Sequence, residues 1–276
     1  GLRNLGSTCY MNSIFQQLFF VPPFCTKIIS EDFSKYTKKE DNPDNFIDEN
    51  IESHNHFQYL FSEMLLTNQK LCDTQKFCSC WKGWGKAIIN THEQQDAFEF
   101  LQLFLDQFPP SINHLFKGKI KNTMKGDNFE SANFEPFYTF SLSIQNCSNI
   151  LDSFNNFLQS ETFPQYKLDD GRCIETSKYS RICEAPTILV LQLKRFEYNL
   201  QTWEKMKINK RVEFGYLLNI KDYMEDQSED VNYKLTGVVL HSGNAIGGHY
   251  TSVINLNNKW VLFNDQEVKE ISESEF

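Results

Sequence analysis

A cysteine near the start of this sequence has the setting of a nucleophile. Cys9 follows the glycine-punctuated stretch Gly1 to Gly6 and opens an apolar pattern with helical spacing. A cysteine in the first turn of a helix feels the positive end of the helix dipole and free N–H groups, which favour the thiolate. The competing interpretation is a buried, inert core cysteine. The position therefore predicts a reactive thiol only in the company of other catalytic groups.

The expected companions of Cys9 lie at both ends of the chain. His249 follows two glycines and opens a predicted strand, so its ring can reach into a cleft as a general base. Asn264 ends the following strand and can orient the imidazole, with Asp265 as its competitor. Asn4 lies in a turn that can fold back and donate its amide to an oxyanion beside the sulfur. The order Cys, His, Asn also occurs in papain-like enzymes, although their local cysteine signature is absent.

Helical spacing dominates the first part of the chain, which must position Cys9. Apolar residues recur from Met11 to Phe19, with Ser7 or Thr8 as a cap and Pro22-Pro23 as a stop. Residues 35 to 56 are polar and weakly periodic, which is typical of a solvated connection. We therefore expect a helix that carries Cys9, followed by a long linker.

Two further helices are predicted before residue 115. The first covers the apolar spacing from Phe57 to Leu65. The second runs from Ala97 to Leu105, after a capping-box pattern of Thr91 and Gln94, and ends before Pro109-Pro110.

Strands are expected beyond residue 130, where the apolar period changes to two. Phe140, Leu142 and Ile144 alternate with polar residues, and 188–196 is typical of a buried strand. Strands are also predicted at 233–241, 249–256 and 259–263, with an Asn257-Asn258 turn before the last. Helices followed by strands indicate an α+β fold.

The composition narrows the possible partners and environment. The 276 residues carry a net charge of -9, with a pI near 5.2, which is the wrong sign for binding a phosphate backbone. No apolar run is long enough for a membrane span, and nothing resembles a signal peptide. The eight cysteines are scattered through a chain that does not need disulfides. We therefore expect free thiols in the cytoplasm, the nucleus or both, and no nucleic-acid or membrane partner.

Five segments together resemble the ubiquitin-specific proteases. Residues 1–17 and 241–252 are similar to the Cys and His boxes of that family, and 93–100 and 186–196 are similar to its two internal boxes. Residues 260–265 complete the set. The resemblance covers nearly the whole chain in the expected order, and it identifies the sequence as a member of this family.

The resemblance implies a fold and a domain organisation. The expected fold is the papain-like cysteine protease hand, with a helical thumb, a β palm and β fingers. Residues 1–276 would form a single catalytic domain, with the thumb at about 1–115 and the fingers and palm at about 116–276. The start at the Cys box and the stop soon after Asp265 also suggest a domain from a longer chain.

The same resemblance implies an activity. The family hydrolyses the bond between the C-terminal glycine of ubiquitin and a lysine or peptide, so the expected partners are ubiquitin and ubiquitinated proteins, with a monomeric enzyme. Carried over by position, Cys9 attacks, His249 takes and returns the proton, and Asn264 orients the ring. Asn4 and the backbone N–H of Cys9 would stabilise the oxyanion, with Asp265 assisting.

Five positions match residues that line the family's channel for the ubiquitin tail: Gln94, Asp96, Phe196, His241 and Tyr250. An extended tail that ends in two glycines suits a narrow aromatic channel. Its arginines suit an acidic groove, which gives the negative charge of the chain a possible use.

The sequence departs from many family members in the fingers, where two Cys-x-x-Cys pairs bind zinc. Lys121 to Lys125 occupies the expected place of the first pair, and Cys173 has no partner two residues on. Cys72, Cys78 and Cys80 lack a well-spaced fourth thiol and are expected to be free. We therefore predict no metal and no cofactor.

Two alternatives stay open at this point. A ubiquitin-binding scaffold with a misaligned or occluded site would carry the same residues without turnover. A protease for another ubiquitin-like modifier would keep the chemistry and change the substrate.

Overall fold

The computed structural model describes residues 1–36, 49–168, 170–198, 202–228 and 230–276. The chain divides into two compact units, one formed by Gly1–Leu115 with Thr236–Phe276 and the other by Phe116–Leu235. Among the helices of these residues, none has the length and apolar character needed to cross a membrane. The assignment of 1–276 to one domain stays a prediction.

Helices form the N-terminal part of the first unit. They are α1 (Cys9–Phe19), α2 (Pro22–Ser30), α3 (Ile51–Leu66), α4 (Gln75–Cys78), α5 (Ala97–Asp106) and α6 (Pro110–Asn113). Phe15 of α1 is fully buried and lies 4.7–5.7 Å, between ring centroids, from four phenylalanines of the neighbouring helices. These four are Phe57, Phe77, Phe100 and Phe104. Aromatic burial of this kind fixes the helix that begins at Cys9.

The predicted helix ends are partly confirmed. Thr8 is the N-cap residue of α1, but its side chain makes no capping hydrogen bond. The cap of α5 is Asp96, whose carboxylate accepts from Phe98 and Glu99, so the predicted capping box of Thr91 and Gln94 was wrong.

The prolines mark helix starts as well as stops. Pro22 is the first residue of α2 and Pro110 is the first residue of α6. A proline is tolerated at the first helical position because its missing N–H has no partner there.

The predicted linker at residues 35–56 was wrong over its last part, because α3 begins at Ile51. Residues 37–48 of that linker lie outside the described residues. Ser53 and His54 are buried, and the ring of His54 stacks on Phe108 with centroids 4.4 Å apart. The apolar spacing did not predict this first part of α3, because polar residues occupy its buried positions.

A four-stranded antiparallel sheet completes the first unit. Its strands are β11 (Gly237–Gly243), β12 (Gly248–Leu256), β13 (Lys259–Asn264) and β14 (Glu267–Ile271), in that spatial order. Asn257 and Asn258 both have positive φ angles, as the predicted tight turn between β12 and β13 requires. Strand β14 was not predicted. The meander brings the start of β12 next to the end of β13.

Ten strands and one α-helix are found in the described residues of the second unit. The strands are β1 (Gly118–Gly126), β2 (Phe129–Phe137), β3 (Phe140–Ser143), β4 (Glu161–Lys167), β5 (Cys173–Glu184), β6 (Leu191–Lys194), β7 (Phe196–Tyr198), β8 (Lys205–Lys207), β9 (Leu217–Asn219) and β10 (Asn232–Lys234). The main sheet has the order β2-β1-β5-β4, and β3 pairs with β6 in parallel.

Sequence patterns described this unit less completely. The alternation at Phe140, Leu142 and Ile144 is confirmed, because all three are buried. The predicted buried strand at 188–196 is split into β6 and β7, and β6 is only half-buried. Strands begin at Gly118, earlier than predicted, and the helix α7 (Ile150–Leu158) was missed.

Candidate active site

Cys9 is the first residue of α1, as predicted, and only 4% of it is exposed. Burial raises the pKa of its thiol, and the negative charge of Asp265 raises this pKa further. Backbone N–H groups of Tyr250, Tyr10 and Cys9 itself act in the opposite direction, but they do not overcome burial. The resting sulfur is therefore a thiol, and a base must remove its proton.

The predicted base is His249, the second residue of β12. Its Nε2 lies 2.6 Å from Oδ1 of Asn264, the last residue of β13. The amide oxygen can only accept a hydrogen bond, so Nε2 carries the proton of the neutral ring. Nδ1 then holds the lone pair that can take a proton from sulfur. The predicted meeting of the two side chains at one end of the sheet is confirmed.

The helix of Cys9 is tied to the strand of His249 by Gln17. Its side-chain Nε2 donates to Oγ of Ser252 at 2.8 Å and to the carbonyl of Val253 at 3.2 Å. A Cβ at Gly237 on β11 would lie 2.3 Å from the Gln17 amide, so glycine is needed there for close approach. The side chain of Gln17 thus holds α1 close to β11 and β12.

Asp265 binds asparagines and not the histidine. Its two carboxylate oxygens accept hydrogen bonds from the side-chain amides of Asn4 at 2.8 Å and Asn12 at 2.7 Å. Its distance to Nε2 of His249 is 3.9 Å, against 2.6 Å for Asn264. Of the two candidates for orienting the ring, Asn264 makes the hydrogen bond.

Asn4 is fixed at both ends of its amide. Its Oδ1 accepts from the backbone N–H groups of Gly6 and Thr8, at 3.0 and 3.1 Å, while Nδ2 donates to Asp265. A side-chain amide has two N–H bonds, so the second one remains for a developing negative charge. The backbone N–H of Cys9, at the start of α1, is the other expected donor.

Four of the predicted tail-binding residues lie around the start of β12. The Oε1 of Gln94 accepts from the N–H of Gly248 at 3.0 Å, and Asp96 accepts from the hydroxyl of Tyr250 at 3.4 Å. His241 faces Tyr250 across the β11–β12 pair, with ring centroids 4.7 Å apart. A Cβ on Gly248 would lie 2.4 Å from the ring of His241, so the residue before His249 must be glycine.

Burial and the nearby Asp96 carboxylate raise the pKa of the Tyr250 hydroxyl. The tyrosine therefore stays neutral and serves as a hydrogen-bond donor. Phe196 is the first residue of β7 in the other compact unit, where it pairs with Lys207. Its part in tail binding stays a prediction.

Sequence reasoning missed two residues of this site, Asn12 and Gln17. Both lie on α1, three and eight residues after Cys9, and Asn12 also donates to the carbonyl of Arg3. Asn12 is buried, which is unusual for an asparagine without a function. A polar residue inside an apolar helical pattern was the available signal.

Comparisons with known proteins match this chain along its whole length to one family. The family model described as ubiquitin carboxyl-terminal hydrolase matches residues 1–276. Similar curated proteins include ubiquitin carboxyl-terminal hydrolase 24 of Homo sapiens, 28% identical over 323 residues, and ubiquitin carboxyl-terminal hydrolase 7 of Drosophila melanogaster, 30% identical over 292 residues. The alignments cover 98% and 100% of this chain, but only 12% and 24% of those relatives.

Solved structures give the same result. A chain of the SAGA Ubp8/Sgf11/Sus1/Sgf73 DUB module bound to ubiquitin aldehyde matches with a TM-score of 0.82 and 27% identity, over 100% of this chain and 66% of that one. A structure of the module bound to monoubiquitin matches with a TM-score of 0.80. The α+β fold expected from the sequence is confirmed by these matches. Because the family model covers every residue, this chain belongs to the ubiquitin carboxyl-terminal hydrolase family.

Proposed function

We propose that this chain is a cysteine-type deubiquitinase, which hydrolyses the isopeptide or peptide bond after the C-terminal glycine of ubiquitin. The observation that carries the proposal is the hydrogen bond between His249 and Asn264, which leaves Nδ1 of the ring as a base, together with the Asp265-held amide of Asn4. Membership of the family and the ubiquitin-bound structural relatives support this substrate.

The first half of the reaction forms a thioester. Nδ1 of His249 takes the thiol proton of Cys9 as the sulfur attacks the carbonyl carbon of the terminal glycine. The oxyanion accepts hydrogen bonds from Nδ2 of Asn4 and the N–H of Cys9. Collapse of the tetrahedral intermediate breaks the C–N bond, and the imidazolium gives its proton to the departing amine.

The second half releases ubiquitin. Nδ1 of His249 takes a proton from water, and the hydroxide attacks the thioester in the same oxyanion pocket. The C–S bond breaks, and Cys9 recovers its proton from the imidazolium. Asn264 accepts the Nε2–H of the ring throughout, both in the neutral imidazole and in the imidazolium, and the two oxygens of Asp265 keep Asn4 and Asn12 in place.

The first experiment is incubation of the chain with ubiquitin that carries a C-terminal electrophile, followed by intact mass and peptide mapping. We expect a single adduct on Cys9 and none in Cys9→Ala. Cys25→Ala is the matched control, because Cys25 is also buried on a helix of the same unit. Ubiquitin binding without an adduct would support the scaffold alternative and contradict the proposal.

Substrate choice needs a second measurement. A panel of fluorogenic conjugates of ubiquitin and ubiquitin-like modifiers compares kcat/KM values directly. We expect the highest value for ubiquitin, whereas preference for another modifier would replace the proposed substrate.

We also propose a reducing compartment, either cytoplasm or nucleus. All eight cysteines are free thiols in the structure, including the exposed Cys173. Microscopy of the fluorescently tagged chain in cells would test this location.

A further inference from the structure

Glu52, His56 and Cys80 form a cluster of metal-binding side chains that the proposed reaction does not use. Glu52 and His56 lie on α3, and Cys80 follows α4 by two residues. One carboxylate oxygen, one ring nitrogen and the sulfur all lie within 4.8 Å of one another. In the part of the chain that the structure describes, no other group of three such side chains has its ligand atoms this close together.

The spacing on α3 explains how two of these ligands meet. Residues four apart on a helix lie on the same face, one turn above the other, so the carboxylate and the imidazole point to the same side. The third ligand, Cys80, lies in the turn just after α4, and α4 packs against α3. The buried rings of Phe57 and Phe77 lie 6.2 Å apart between these two helices and hold their backbones in place.

The three donors suit zinc. Thiolate, imidazole and carboxylate are its usual protein ligands, with metal–ligand distances of about 2.0–2.3 Å in a tetrahedron. Ligand atoms in such a tetrahedron are about 3.3–3.8 Å apart. Small side-chain rotations would therefore close the cluster around an ion. Three protein ligands leave a fourth position for water.

The surroundings leave the ligand atoms available. Glu52 is exposed, and His56 and Cys80 are half-buried at the surface. The sulfur of Cys80 lies 3.4 Å and 3.5 Å from the carbonyl oxygens of Lys76 and Phe77, where its S–H is a weak donor that a sulfur–metal bond would replace. Burial and the Glu52 carboxylate raise the pKa of the Cys80 thiol, and a divalent cation between them would reverse the effect of that carboxylate.

We propose that Glu52, His56 and Cys80 bind a divalent transition metal ion, with Zn²⁺ as the best match, and that the ion clamps α3 to α4. Binding replaces the S–H bond by a sulfur–metal bond and releases the proton to solvent. This assignment departs from the sequence-based expectation of no metal. It is independent of the proposed hydrolase activity, because none of the three residues belongs to the candidate active site.

Titration of the Cys9→Ala chain with Co²⁺ tests the site. Removing Cys9 prevents the catalytic thiol and His249 from supplying a competing site. We expect a sulfur-to-cobalt charge-transfer band and the intense visible bands of tetrahedral Co²⁺, both lost on addition of one equivalent of Zn²⁺. Cys80→Ser should abolish the charge-transfer band, and His56→Ala should weaken binding at least about 10-fold, in line with the loss of a metal-site interaction.

Matched controls are Cys173→Ser and His114→Ala, which remove an exposed thiol and an exposed imidazole elsewhere. Both should bind Co²⁺ as the Cys9→Ala parent does. Glu52→Gln is the variant least able to disturb folding, since Glu52 is exposed, and it should lose the rise in Tm that Zn²⁺ gives the parent. A charge-transfer band that survives Cys80→Ser, or Co²⁺ spectra without such a band in the parent, would overturn the assignment.

Discussion

Asp265 shows at the scale of single residues how one carboxylate serves several groups. Its oxygens hold the amides of Asn4 and Asn12, and its charge raises the pKa of the Cys9 thiol. The same residue thus holds Asn4, the proposed oxyanion donor, in place and disfavours the thiolate of Cys9. Because the two effects act in opposite directions, a single substitution of Asp265 can distinguish them.

Asp265→Asn should lower kcat and increase the reactivity of the free thiol. An asparagine has one acceptor oxygen, so only one of the two amides keeps its partner, and we expect kcat to fall about 10-fold or more. Loss of the negative charge lowers the pKa of Cys9, so iodoacetamide should alkylate Cys9 faster at pH 8. Slower alkylation, with the Tm unchanged, would contradict this account.

Asp96→Asn separates tail binding from helix capping. Asparagine can still cap α5 with its side-chain oxygen, so the Tm should stay within about 1–2 °C of the parent, because asparagine and aspartate cap equally well. The lost charge should raise KM for ubiquitin substrates several-fold and leave kcat nearly unchanged. Steady-state kinetics measure both constants, and a fall in kcat alone would remove Asp96 from the tail-binding set.

Among the helices, a buried carboxylate stabilises the end of α2. Glu31, just after α2, has a side chain that is 1% exposed and that contacts Lys27 at 2.9 Å, Lys35 at 2.5 Å and the hydroxyl of Tyr36 at 3.1 Å. Burial alone would raise the pKa of Glu31, but the hydrogen bonds and charges of the two lysines outweigh it and hold this pKa below its ordinary value.

The lowered pKa gives Glu31 a pH-dependent effect on stability. A carboxyl group with a lowered folded-state pKa stabilises the protein fully above its unfolded pKa, near 4.5, and this contribution is lost as the pH falls through the folded value. At pH 7, Glu31→Gln should reduce the free energy of unfolding by about 1–3 kcal/mol, since it weakens hydrogen bonds to a buried charge. The difference from the parent should shrink below about pH 4.5.

Glu270→Gln is the control for this measurement. Glu270 pairs with Lys259 at 2.8 Å, but both side chains are more than half exposed. An exposed pair contributes about 0–1 kcal/mol, so this variant should unfold almost as the parent does. Equal losses for the two variants would show that burial of Glu31 has no special effect.

The net charge of -9 acts at the scale of the whole molecule. An acidic chain attracts the arginine-bearing tail of the proposed substrate, and salt screens this attraction. Raising the salt concentration from 0.1 M to 1 M shortens the screening length from about 10 Å to about 3 Å. We expect kcat/KM for ubiquitin substrates to fall several-fold, mostly through KM. Alkylation of Cys9 by the neutral iodoacetamide is the control, and its rate should hardly change.

The chain spans only a small part of the length of its curated relatives. It covers between 12% and 24% of the length of the curated hydrolases compared above. The predictions for activity, partners and location therefore concern this segment alone.

The candidate catalytic groups and the helical and strand periods could be read from local sequence. Cys9, His249 and Asn264 were recognisable because their residue types, their order and the boxes around them are local features. The turn at Asn257 and Asn258 followed from residue preferences for positive φ angles.

Contacts between side chains that are distant in sequence depend on the tertiary structure. Asn264, and not Asp265, bonds to His249, while Asp265 reaches across more than 250 residues of sequence to Asn4 and Asn12. Glu52, His56 and Cys80 likewise converge only when α3 packs against α4. The physical reason is that periodicity fixes which face of an element is buried, whereas the partner of a polar side chain is set by packing between elements that are remote in sequence.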